Sequence, residues 1–77
     1  MPLYFFVITQ GDNSSVDEEG IEFTDLHAAW EEATKAGGQL LRDLDGSLKV
    51  GDLWSIQVLD ENKKPLRRLV ITAEESN

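Results

Sequence analysis

The sequence predicts an α+β domain, an antiparallel sheet of three to four strands with one helix packed on one face, in the order β-β-α-β-β. Three observations carry this. Residues 3–9 and 53–59 are runs rich in β-branched and aromatic side chains with no breaker inside them. Residues 26–44 instead space their apolar side chains at helical intervals. The polar clusters at 10–14 and 60–64 are short enough to join antiparallel strands.

In the first strand, Tyr4, Phe6 and Ile8 lie on one face and Leu3, Phe5 and Val7 on the other. Being apolar on both faces, the strand belongs in the middle of a sheet. Gln10–Ser14 forms a loop, and a short second strand around Ser15–Asp17 returns as a hairpin. Glu18-Glu19-Gly20 turns the chain, and Ile21-Glu22-Phe23 leads into the helix. Thr24 or Asp25 supplies the N-cap oxygen. Apolar or small residues then recur at 26, 29, 30, 33, 37, 40, 41 and 44, in one band of about 120°. The helix is placed at 25–45. Gly37-Gly38 costs it roughly 2 kcal/mol of propensity. It is read as continuous because Leu40, Leu41 and Leu44 stay in phase with Leu26, Trp30 and Ala33, and Gly37 then faces the sheet.

Asp45-Gly46-Ser47 ends the helix. In 53–59, Trp54, Ile56 and Val58 face inward while Ser55 and Gln57 face outward. Asp60–Lys64 is a hairpin loop with Asn62 expected at positive φ. Leu66–Thr72 is the last strand, and 73–77 a polar, frayed tail. All 77 residues make one small domain. Its expected core is Tyr4, Phe6, Ile8, Leu26, Trp30, Ala33, Leu40, Trp54, Ile56, Val58, Leu69 and Ile71.

Composition excludes several functions. There is no cysteine, which rules out disulfides, thiolate metal sites and cysteine nucleophiles and suits a reducing cytoplasm. The longest apolar run, Leu3–Ile8, is far shorter than the ~20 residues that cross a bilayer, and no secretory signal is expected. The formal charge is -8, from 15 acids and 7 bases. Residues 1–34 hold eight acids and no Lys or Arg, whereas 35–77 hold seven of each. The acidic half repels a phosphate backbone, so a basic protein partner is favoured over nucleic acid.

The opening Met-Pro-Leu-Tyr-Phe-Phe, then Asp17-Glu18-Glu19-Gly20, an Ala-rich helix and Asp60-Glu61 before a Lys-Pro hairpin resemble a family of very small bacterial proteins. That family is classed as a domain of unknown function, and the resemblance covers nearly the whole chain. The sequence departs from its pattern at Val7, where a polar residue is commoner, and at Lys63, where the hairpin glycine would sit. The shared motifs are turn and core patterns. They imply no activity, cofactor or catalytic residue.

No catalytic constellation is visible, so an enzyme is not expected and no cofactor or metal is assigned. His27, the single histidine, lacks a nucleophile partner and reads as a half-exposed helix residue. The acidic segment 12–22 fails the EF-hand pattern and reads as a solvated hairpin tip. Lys63, Lys64, Arg67 and Arg68 form the single basic cluster, a candidate charged contact or an edge-strand guard. The strongest feature is the sheet face away from the helix, where Leu3, Phe5, Val7, Leu53, Leu66 and Val70 gather. A patch of that size seldom stays bare. The expectation is a protein-interaction or self-association module, a possible homodimer, using that face. The alternative is a small-ligand or cation-binding domain using the 12–22 segment and His27.

Overall fold

Antiparallel pairing brings every strand into one sheet with the helix across it. The computed structural model describes residues 1–16 and 18–76. Among these the elements are β1 (Leu3–Gln10), β2 (Asn13–Val16), β3 (Ile21–Glu22), α1 (Leu26–Leu44), β4 (Leu53–Leu59) and β5 (Pro65–Thr72). The strand order is β2-β1-β4-β5, with β3 also paired to β1. The α+β class stands, and the described residues add a fifth strand. Ile21 and Glu22, expected only to lead into the helix, pair with Tyr4 and Leu3. β2 is longer at its start than the sequence suggested, pairing Asn13–Val16 with Gln10–Val7. Asp17, assigned to that strand, lies outside the described residues, as does Asn77.

β1 is central because both of its edges are used: β4 pairs with residues 5–10, and β2 and β3 pair with residues 7–10 and 3–4. This accounts for apolar residues on both of its faces. The helix begins at Asp25, whose extended backbone lets its carboxylate accept a hydrogen bond from Ala28 N–H at 2.9 Å. It runs unbroken through Gly37-Gly38. It ends where Asp45 turns left-handed at φ 47°, its N–H donating to Arg42 O at 3.1 Å.

The helix packs against β4 and β5. Tyr4, Ala29, Ala33, Ile56 and Val58 form the buried core, with Phe6, Phe23, Leu26 and Trp30 packed around it. Phe23 sits edge-on to Phe6 and tilted to Tyr4, with ring centroids 6.0 and 6.1 Å apart. Burying side chains such as Ile56 and Val58 stabilises the fold by roughly 1.5–3 kcal/mol each.

Three expectations need correction. Ile8 is 41% exposed, because the helix lies over β4 and β5 and leaves that stretch of β1 uncovered. Leu40, Trp54, Leu69 and Ile71 are half-buried. The left-handed residue of the β4–β5 turn is Lys63 at φ 64°, not Asn62. The Asp60 carboxylate accepts from both Asn62 and Lys64 N–H at 2.9 Å, and Lys63 N–H closes the turn onto Asp60 O. This holds Asn62 in the turn proper and leaves the left-handed corner to the residue after it.

Asp25→Ala removes the N-cap acceptor and is expected to cost about 1 kcal/mol of stability, measured by urea unfolding. An unchanged unfolding midpoint would mean that Thr24 or solvent caps the helix equally well.

Candidate functional site

The register defines the helix-free face strand by strand. Val7 lies beside Val16 and Gln57, and Arg68 continues that row on β5. Thr9 lies beside Ser14 and Ser55, followed by Val70. The Thr9 and Ser14 hydroxyls share a hydrogen bond at 3.2 Å. Leu53 opposite Thr72 completes this end of the face.

The expected apolar patch is divided. Phe5 is buried, 7% exposed, and so is Leu59 opposite it. Two features cover Phe5. Gly20 folds its backbone over the ring, so closely that a Cβ there would lie 3.1 Å from Cε1 and Cζ. Lys63 places its ammonium 4.9 Å from the ring centroid. Glu61 ties the hairpin to β1 by accepting from Leu3 N–H at 3.0 Å. Leu3 and Val7 are half-buried. Leu53 and Val70 are open at 46% and 41%, and Val16, which the sequence did not flag, at 48%. The pairing of Val16 with Val7 across a tight hairpin was the signal that would have found it. Leu66 is 39% exposed. The register shifts between Val58 and Leu59, pairing them with Arg67 and Pro65. Leu66 is the extra residue of that bulge, so alternation no longer assigns it to this face.

The basic cluster is also divided. Arg67, opposite Val58, falls on the helix side and stacks over Trp30, its guanidinium carbon 5.6 Å from the ring centroid. Arg68, opposite Gln57, falls on the helix-free side. Lys63 is committed to Phe5, and Lys64 is exposed in the turn.

His27 does not sit in a cleft. Its Nε2 lies 2.9 Å from Glu31 Oε1 one helical turn on, with the side chains 76% and 59% exposed. Asp25, the other carboxylate near it in sequence, is used as the N-cap. Among the described residues, no group of three or more His, Asp or Glu side chains converges as a metal site. No described helix is long and apolar enough to cross a membrane.

Two depressions flank the helix. An open cleft of about 530 Å³ lies beneath its C-terminal end, between Leu44, Lys49 and Trp54. Asp52 in its lining is engaged, accepting from Lys49 N–H at 2.9 Å and from the Thr72 hydroxyl through its carbonyl at 3.0 Å. The second, about 190 Å³, lies between α1 and β1, with Phe6, Ile8 and Ile21 on the strand side and Glu32 and Ala36 on the helix side.

This geometry defines a small α+β domain, one helix on a mixed-polarity antiparallel sheet, with exposed apolar side chains on both faces. A family model described as a domain of unknown function, DUF6894, matches residues 3–72, from the first residue of β1 to the last of β5. The chain belongs to that family. No curated protein and no solved structure matches it.

Gly20 and Gly46 both take left-handed backbones, at φ +74° and +84°, yet only Gly20 touches another side chain. Gly20→Ala is therefore expected to destabilise the fold by more than the about 1 kcal/mol that backbone strain alone costs in Gly46→Ala. Equal losses in chemical denaturation would show that Gly20 does not hold Phe5 in place.

Proposed function

We propose that this domain is a non-catalytic, cytoplasmic protein-interaction module that pairs with a second copy through its helix-free sheet face. One observation carries the reading: Val16, Leu53 and Val70, on β2, β4 and β5, are all more than 40% exposed on that face. They stand among the small neutral side chains of Thr9, Ser14 and Ser55, which another sheet can approach closely. Phe5 and Leu59, buried at one end, give the face a firm footing. The lack of cysteine supports the compartment.

Charge supports the second copy and its orientation. The β2–β3 edge carries Asp12, Glu18, Glu19 and Glu22, and the β5 side carries Arg68 and, in the turn before it, Lys64. A two-fold axis running along the strands lays the acidic edge of one copy on the basic edge of the other. An axis across the strands lays acid on acid. Four strands about 4.8 Å apart give a face below the ~800 Å² per partner of a tight complex. The dimer should therefore dissociate on dilution.

Light scattering across a dilution series tests the reading. The wild type is expected to shift from dimer to monomer, with added salt favouring monomer. Val70→Glu should be a folded monomer throughout, since Val70 is already exposed. A monomer at every concentration, or a dimer indifferent to Val70→Glu, would sink it.

A further inference from the structure

We infer that the groove between α1 and β1 receives one large apolar side chain carried on a basic segment of a partner protein. The groove exists because the helix rests on β4 and β5. On the helix side of β1 the cover thins past Phe6, whose ring meets Phe23 edge-on. Ile8 and Ile21 are 41% and 44% exposed there, and Phe6 between them is half-buried. On the helix, Ala33 and Ala36 keep the space open, where larger side chains would fill it. The resulting volume of about 190 Å³ suits a single Leu- or Phe-sized side chain. That is the size of an anchor pocket at a protein interface.

The charge of the surroundings selects the occupant. Glu32 is the one polar residue lining the groove. Helical spacing puts Gln39 and Asp43 on the same side of α1 as Glu32 and Ala36. Gln39 donates to Asp43 Oδ1 at 2.9 Å, so both are held along that bank. No Lys or Arg lines the groove. Most of its lining comes from residues 1–34, the half with eight acids and no bases. An apolar anchor flanked by Lys or Arg satisfies both features. A second copy of the chain does not, because two-fold use of the groove would set one acidic bank against another. The site is separate from the helix-free face and does not depend on self-association.

The test is fluorescence anisotropy with three dye-labelled peptides. One is Lys/Arg-rich with a central Leu-Phe pair. In the second, Ser replaces that pair. In the third, Glu replaces the bases. The first should bind saturably, and the other two about tenfold more weakly or worse. Ala36→Trp fills the groove and should abolish binding. Ile8→Ser, at a position already exposed, removes one wall and should weaken it severalfold, which keeps the test valid if Ala36→Trp disturbs the helix. Glu32→Lys should weaken binding most at low salt. The same titration on Val70→Glu protein should be unchanged, so that failure of one reading is not mistaken for failure of the other. No binding of the first peptide, equal binding of the Ser peptide, or indifference to Ala36→Trp and Ile8→Ser would overturn the inference.

Discussion

A helix can approach a sheet only as closely as the side chains between them allow. Here the residues beneath α1 are Ala29, Ala33 and Gly37, all buried and spaced one helical turn apart. At Gly37 the approach is closest: a Cβ there would lie 2.5 Å from Leu69 Cδ2 and 3.8 Å from Ile56 Cδ1. No Cβ normally sits at the first of these distances, so a side chain at residue 37 requires either that the end of the Leu69 side chain moves aside or that the helix lifts from β4 and β5. The stripe of small residues makes a thin core in which large side chains lie to either side of the helix.

Much of the surface chemistry follows from that placement. Trp30 flanks the helix on the β5 side, where Arg67 covers it. Phe23 seals the N-terminal end against Tyr4 and Phe6. On the β1 side nothing comparable reaches across, and Ile8 and Ile21 are left in an open groove. The helix-free face is governed by a different contact. Gly20 and Lys63 close over Phe5. The apolar exposure that remains on this face is displaced toward Val16, Leu53 and Val70.

The parts of the fold written locally were legible from the residues alone. Period-two runs marked β1 and β4, helical spacing marked α1 across Gly37-Gly38, and the same spacing turned Gly37 toward the sheet. What escaped was set by contacts distant in sequence or by side-chain hydrogen bonds. Ile21–Glu22 is too short to show a period, and its partner is β1. Phe5 is buried by a turn that folds back on it. Lys63, not Asn62, is left-handed because the Asp60 carboxylate holds the N–H groups on either side of it. One division was open to a period-two reading: Arg67 and Arg68 are successive residues of β5, so the pleat alone puts them on opposite faces, and four basic residues that read as one cluster serve different faces. The groove depends on where the helix crosses the sheet, which no single segment encodes.

The claim that a bare α-carbon at residue 37 sets the helix on the sheet is tested most directly by thermal unfolding of paired glycine variants. Gly38 is exposed with nothing near its side-chain position, so Gly38→Ala should gain up to about 1 kcal/mol of helix propensity and raise Tm. Gly37→Leu gains the same propensity but inserts a side chain where there is no room. It should lose roughly 1–3 kcal/mol and lower Tm. A Gly37→Leu protein at least as stable as the Gly38→Ala protein would contradict the account, because the helix would then not need the close approach.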